Sequence, residues 1–212
     1  SDIPVKDYNQ FYLRKEPRST LFVQHFMSYY YGTSAYWNNR YEDRATGWDI
    51  GYISTPIQNF FKQQTDKNLR ILVPGAGNGW EVESLYDQGF QNVHYLDFSA
   101  LAGQNFKRRV PYFPGNQVYI EDFFEHEGCY DIIVEQTFFS AIPINKRASY
   151  VNKIHQLLVP EGRLVGLLFG IPMFGDHPPF GGSKEDYTEL FANKFDLKVM
   201  EWAYNSIKPR RN

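Results

Sequence analysis

From residue 70 onward, short apolar runs alternate with stretches of helical periodicity. Arg70–Val73, Val93–Leu96, Gln117–Ile120, Asp131–Glu135 and Arg163–Phe169 read as strands. Trp80–Gln88, Ala100–Arg109 and Asn145–Val159 read as the helices between them, and a helix over Lys184–Lys194 and a last strand over Leu197–Tyr204 follow. In Asn145–Val159 the residues Val151, Ile154, Leu157 and Leu158 share one face, the spacing of an amphipathic helix. Gly89 is placed to stop the helix before it. Strands that are apolar throughout, separated by helices, are strands covered on both faces. The pattern therefore predicts an α/β domain: a mostly parallel twisted sheet with helices on both sides and no evident seventh strand. One more helix is predicted upstream, where Ser54 or Thr55 caps a run with Pro56, Ile57, Phe60 and Phe61 at helical spacing. The stretch Tyr36–Gly51 is polar and aromatic, and residues 1–35 are irregular and Tyr-rich, with a short helix at Thr20–Tyr30. These residues are read as an N-terminal arm or extension, and 36–212 as a single domain.

Composition narrows the partners. The net charge is −2, and the only basic run is the terminal Lys208-Pro-Arg210-Arg211, so nucleic acid is not the expected partner. No apolar run approaches the roughly 20 residues that span a bilayer, and the first residues lack the order of a secretion signal. A single cysteine, Cys129, excludes an internal disulfide and suits a reducing compartment, so a cytoplasmic location is expected. With 18 Phe, 16 Tyr and 4 Trp, there is aromatic material beyond the needs of a core, enough to line a pocket. His25, His94, His126, His155 and His177 are scattered without metal-ligand spacing, and no metal is expected.

The chemistry gathers around Arg70-Ile-Leu-Val-Pro-Gly75-Ala-Gly77-Asn-Gly79-Trp80-Glu81 and the later Tyr95-Leu-Asp97. A strand, a glycine turn, a helix and a second strand ending in an acid form an adenine-nucleoside site. Gly75 and Gly77 let backbone approach the ligand, and Asp97 accepts hydrogen bonds from ribose hydroxyls. The dinucleotide fingerprint wants a third glycine where this chain has Trp80. Glu81 and Glu83 in the first helical turn disfavour a diphosphate at a helix start that otherwise attracts one, although such acids also simply complement the helix dipole. S-adenosylmethionine, a nucleoside without phosphate and with a positive sulfonium, fits better. Ser99 is the better cap for the next helix and is counted with the cofactor site. Asp122 follows the third strand, where it either meets the adenine amino group with Phe123 beside the ring or is a solvated loop acid. Glu135 and Gln136 end the fourth strand at the topological switch, where the transferred methyl group is expected.

These residues resemble the thiopurine S-methyltransferase superfamily, and within it the halide/thiol methyltransferases. The matching text is Trp37-x-x-x-Tyr41, Gly47-Trp48-Asp49-x-Gly51, Leu72-Val-Pro-Gly-Ala-Gly-Asn-Gly79 and Leu96-Asp97-Phe-Ser99. It continues through Glu121-Asp-Phe-Phe124, Tyr130-Asp-Ile-Ile-Val-Glu135, Phe138-Phe-Ser-Ala-Ile142, Leu157-Leu-Val-Pro-Glu-Gly162 and Pro178-Pro-Phe180. The resemblance implies a Rossmann-like class I methyltransferase fold and S-adenosylmethionine as methyl donor, with S-adenosylhomocysteine as product. It also implies that Trp37, Tyr41 and Trp48 fold over the cofactor. One departure concerns the acceptor: thiopurine enzymes carry Asp-Arg and halide/thiol enzymes Asp-Tyr where this chain has Glu135-Gln136.

An in-line methyl displacement needs alignment and exclusion of water more than a catalytic triad. The expected acceptor pocket comprises Gln136, Phe138, Phe139, Phe174, Pro178, Pro179 and Phe180, with one of Phe138 and Phe139 packed in the core instead. Gly170, Gly175, Gly181 and Gly182 make the surrounding segment a candidate lid. The leading expectation is a methyltransferase for a small soft nucleophile, a thiol, hydrosulfide or halide. An O- or N-methyltransferase for another small molecule, and a non-catalytic S-adenosylmethionine-binding protein, remain the alternatives.

Overall fold

Residues 31–206 are described by the computed structural model; the helix expected at Thr20–Tyr30 and the basic terminus lie outside the described residues. The chain runs α1 (Ser34–Glu42), α2 (Thr55–Lys62), β1 (Ile71–Pro74), α3 (Trp80–Asp87), β2 (Val93–Asp97) and α4 (Ala100–Arg109). It continues with β3 (Val118–Ile120), β4 (Tyr130–Gln136), α5 (Arg147–Leu157), β5 (Leu158–Leu167) and α6 (Lys184–Ala192). The five strands form one sheet in the order β3-β2-β1-β4-β5, and every pairing is parallel.

Every residue of β1 and β2 is buried, as the unbroken apolar runs predict. Because successive side chains of a strand point to opposite faces, each central strand feeds two cores. Ile71 and Val73 of β1 and Ile132 and Val134 of β4 enter one cluster with Ile57, Phe61, Val82, Leu85 and Phe106 from the helices. Leu72 and Ile133 enter the other, with Tyr150, Val151, Ile154 and Leu157 of α5 and Tyr187 and Phe191 of α6. At roughly 1.5–3 kcal/mol for each large apolar side chain taken from water, these two layers are the main attraction holding helices to sheet.

β1 pairs with both β2 and β4. The chain thus winds outward to β3 and returns to the far side of β1, creating a topological switch whose crevice opens at the carboxyl ends of β1 and β4. This crevice is where the chemistry-bearing residues meet.

Two expectations are corrected. Leu197–Tyr204 forms no strand; Leu197 and Met200 pack on the second core, while Val199, Trp202 and Tyr204 are exposed. A strand exists only where a neighbour takes up its backbone groups, and among the described residues this segment has no ladder partner. The helix expected over Asn145–Val159 ends at Leu157, because Leu158 already pairs with Tyr130 as part of β5. Helix α1 begins at Ser34. Among the described residues no helix is long and apolar enough to cross a membrane.

Candidate active site

The loop after β1 is tied to the end of β2 by hydrogen bonds. The Gly77 amide donates to Asp97 Oδ2 at 2.9 Å, the Ser99 amide donates to Asp97 Oδ1 at 2.8 Å, and the Tyr95 hydroxyl donates to the Gly77 carbonyl at 2.7 Å. Gly75 and Gly77 have φ of 59° and 55°, a left-handed backbone that glycine adopts without steric cost. A Cβ on Gly75 would stand 2.3 Å from Phe138 Cδ2, and one on Gly77 2.5 Å from the Tyr41 hydroxyl oxygen. The loop is therefore bare where the aromatic rings approach. Burial pushes the Asp97 carboxyl up to about 6, against the opposing pull of the Ser99, Gly77 and Phe98 amides.

Helix α1 is anchored beside this loop. The Thr33 hydroxyl caps it, accepting from the Tyr36 amide at 3.4 Å. Asn38 Oδ1 accepts from Ser99 Oγ at 2.7 Å and from the Leu101 amide at 3.4 Å, joining α1 to the start of α4. The same helix presents Trp37, Arg40 and Tyr41, at the i, i+3, i+4 spacing that places side chains together. Trp48 closes the group, edge-on to Trp37 at 5.3 Å and to Tyr41 at 5.8 Å between ring centres.

The residue following Trp48 explains the motif around it. Asp49 Oδ1 accepts from the Gly51 amide and from the Trp80 indole nitrogen, each at 2.7 Å, and Oδ2 takes the Asn78 side-chain amide. Asp49 therefore fastens the aromatic segment to the glycine loop, and Trp80, standing in place of a third glycine, is one of its anchors. Glu83 does not face a ligand as an unpaired charge; it pairs with Arg109, which also lies 3.7 Å over the Trp80 ring. The repulsion of diphosphate expected from Glu83 is neutralised there.

A cleft of about 420 Å³ opens over these groups, a size typical of small-molecule sites. Trp37, Tyr41, Trp48, Gly75, Asp97, Asp122 and Phe123 line it. Phe138, Pro178 and Pro179 line it too, joined by Pro143 and Met173, which carried no motif, and by Ile142, which ends a matching motif but was not expected in the pocket. Asp122 is exposed and accepts from the Phe124 amide at 2.9 Å, so it also shapes its own loop.

Other expected members are used elsewhere. Gly77 and Ser99 bind Asp97 by their amides, and Ser99 Oγ caps α4, accepting from the Ala102 amide at 3.1 Å; they support the cleft from behind. Gln136 turns away from the cleft, its Oε1 accepting from the Ser54 hydroxyl at 3.0 Å. Phe139 is the member of the phenylalanine pair that enters the core, edge-on to Tyr150 and Tyr187. Phe180 is buried, with its amide donating to the Ser140 carbonyl at 2.7 Å. Phe174 is exposed and stacks on His177 at 4.1 Å.

Glu135 is corrected as well. Its buried carboxylate accepts from the Phe139 amide at 2.8 Å and the Tyr150 hydroxyl at 2.6 Å. Burial pushes this carboxyl up to about 7, against the hydrogen bonds from Tyr150, Phe139 and Phe138. Two residues on, Thr137 has φ of 65°, an outlier for a β-branched residue that costs on the order of 1–3 kcal/mol. Its carbonyl accepts from Ser140 Oγ at 2.6 Å. Glu135 and Ser140 thus clamp a strained turn whose outcome is Phe138 on the cleft and Phe139 in the core.

A parallel sheet with a glycine loop after β1, an acid ending β2 and a cleft at the switch point defines a class I methyltransferase. Comparison with known proteins makes this specific: the Thiopurine S-methyltransferase (TPMT) family profile matches residues 32–212. The chain belongs to that family and is an S-adenosylmethionine-dependent methyltransferase. It is 29% identical over 163 residues to probable thiol methyltransferase 2 of Arabidopsis thaliana, covering 74% of this chain and 72% of that protein. It is 26% identical to thiocyanate methyltransferase 1 of Brassica oleracea, covering 74% and 71%. Among solved structures, the 1,6-didemethyltoxoflavin-N1-methyltransferase of Burkholderia thailandensis, with its substrate and S-adenosylhomocysteine bound, shares the fold. The TM-score is 0.66 at 17% identity, covering 85% of this chain and 81% of that one. The residues present fit the cofactor: a buried carboxylate, a bare glycine loop and three facing aromatic rings are groups that a nucleoside carrying a sulfonium can use.

Proposed function

We propose that this methyltransferase acts on a small, soft nucleophile, a thiol, hydrosulfide or halide, by in-line displacement. The observation that carries the reading is the apolar character of the cleft wall formed by Phe138, Ile142, Pro143, Met173, Pro178 and Pro179. The two hydroxyls on that wall are engaged: Thr137 Oγ1 donates to the Gln136 carbonyl and Ser140 Oγ to the Thr137 carbonyl, both at 2.6 Å. An alcohol or amine acceptor has to lose a proton, and none of these wall residues offers a base. A halide needs no base, and a thiol with a pKa near 8.5 is partly ionised at neutral pH. S-adenosylmethionine, when bound, presents a methyl group on a positive sulfonium that departs as a neutral thioether. In this reading Asp97 receives the ribose hydroxyls, Asp122 and Phe123 the adenine, and Trp37, Tyr41 and Trp48 cover the charged end, with aromatic faces contributing on the order of 1 kcal/mol or more. The likeness to thiol and thiocyanate methyltransferases supports the same acceptor class.

The test is product formation on an acceptor panel. Methylated product from thiols, hydrosulfide or halides is expected. Turnover confined to alcohols or amines would overturn the reading, and saturable cofactor binding without any product would favour a non-catalytic binder. Met173→Ala is expected to change the ratio of kcat/KM between a bulky thiol and a halide by about 10-fold, the scale of a few methylenes in an apolar pocket, with cofactor affinity unchanged.

The acid ending β2 adds a pH dependence. The Asp97 carboxyl lies at about 6, and the ionised form is the better acceptor for ribose hydroxyls. Affinity for S-adenosylhomocysteine should therefore tighten by about 10-fold from pH 5 to pH 7, as read by titration calorimetry. Asp97→Asn is expected to flatten that profile.

A further inference from the structure

Arg40 lies on the face of α1 that carries Trp37 and Tyr41, and it lines the same cleft. Its guanidinium sits 5.8 Å over the Trp48 ring, and its Nε is buried with no hydrogen-bond partner. Among the described residues no carboxylate forms an ion pair with it. The remaining charged groups on the cleft are Asp97, Glu121, Asp122 and Lys146. Lys146 is exposed and lies 5.5 Å over Phe124, on the segment between β4 and α5, away from the glycine loop.

We propose that Arg40 is the counter-ion for the α-carboxylate of the methionine tail of S-adenosylmethionine. This rests on the cofactor assignment of the ribose to Asp97 and the adenine to Asp122 and Phe123. With those ends fixed, the tail runs from the ribose away from the adenine, toward the glycine loop. Tyr41 marks that place, since its hydroxyl oxygen is the atom a Cβ on Gly77 would meet. Arg40 is the neighbouring residue on a helix whose position is set by the Asn38 bonds to Ser99 and Leu101. A planar guanidinium is the group best suited to take a carboxylate by two parallel hydrogen bonds, and a buried Nε lacking a partner is a donor left open. The Trp48 ring, 5.8 Å from the guanidinium carbon, attracts the cation without using its donors.

The test compares two ligands that differ only in the carboxylate: S-adenosylmethionine and decarboxylated S-adenosylmethionine, each titrated calorimetrically into the wild type, Arg40→Met and Arg40→Lys. The wild type is expected to prefer the carboxylated ligand by about 10- to 100-fold, the range for a charge-assisted pair. Arg40→Met should abolish that preference while leaving the affinity for the decarboxylated ligand within about twofold, and Arg40→Lys should recover part of it. Loss of affinity for both ligands in equal measure would make Arg40 a packing residue, and an unchanged preference would place the carboxylate on another group; either result overturns the proposal. A wild type that binds neither ligand would overturn the cofactor reading itself, a separate outcome from an unaltered preference in Arg40→Met.

Discussion

Replacing Asp97 with alanine is expected to lower affinity for S-adenosylmethionine by about 100-fold, close to 3 kcal/mol for lost hydrogen bonds to a charged group. Two effects act together. The ribose loses its acceptor, and the loop that shapes the site loses its tie, because Asp97 also accepts from the Gly77 and Ser99 amides at 2.9 and 2.8 Å. Asparagine separates them. Asp97→Asn retains one acceptor oxygen for a backbone amide but places an NH₂ where the other bond was, so the fold should tolerate it better than the ligand does. Calorimetry and thermal unfolding on both variants provide the comparison. Affinity unchanged in Asp97→Ala would show that the carboxylate serves only to close the loop between β1 and β2.

Glu135→Ala is expected to be the most destabilising of the substitutions considered, by about 3 kcal/mol. It leaves the Phe139 amide and the Tyr150 hydroxyl without their partner in a buried environment, and each orphaned group costs about 1–3 kcal/mol. For a chain of this size that corresponds to a fall in Tm of about 10 °C. The same carboxyl produces a pH dependence of opposite sign to that of most acids. Its ordinary value of 4.5 rises to about 7 in the folded protein, so between those values the folded state holds a proton that the unfolded chain releases. The contribution to stability is fully present below about pH 4.5 and is lost as pH rises through about 7. Asp97, raised from 3.8 to about 6, acts in the same direction over a lower window. Glu135→Gln should remove its share of this slope, as read by denaturant unfolding at pH 5 and pH 8. A slope unchanged in Glu135→Gln would assign the dependence to other groups.

The activity consequence of Glu135→Ala follows from the turn it clamps. Thr137 occupies a left-handed conformation held by Ser140 Oγ on its own carbonyl and by Glu135 on the Phe139 amide two residues on. Relaxation of that turn moves Phe138, the ring against which Gly75 lies bare. Acceptor kinetics should therefore degrade along with stability, although Glu135 does not line the cleft.

Much of the site was legible along the chain because its signals are local. A glycine is required wherever a left-handed turn meets an approaching ring, and Gly75 and Gly77 meet both conditions. Asp97 is marked by its place at the end of a buried strand, where an acid is otherwise unwelcome. Trp37, Tyr41 and Trp48 stand out as aromatic residues in a polar stretch, and the structure brings all three to the cleft. Arg40 gave no such signal, since a lone arginine in a polar segment looks solvated. Asp49, although inside a recognisable motif, shows its role only through partners far along the chain, Asn78 and Trp80. Leu197–Tyr204 was misread because apolar content says that a segment packs, without saying whether a neighbouring strand will pair with it.

By itself, the order of apolar runs and helical stretches determined the parallel sheet and the order of its first five strands along the chain. Continuous burial and short-range turn chemistry act within a dozen or so residues and leave their mark in composition. The glycine loop and Asp97 belong to that category. Only the tertiary structure decided what happens at the end of β4, where four neighbouring side chains go to four destinations. Glu135 holds a turn, Gln136 meets Ser54, Phe138 faces the cleft and Phe139 enters the core. Strand alternation would have predicted their directions had the strand continued. The left-handed residue between them ends that alternation, and which side chain then faces the cleft depends, beyond the local bond from Ser140, on partners brought from Ser54 and Tyr150, contacts with no trace in the local sequence.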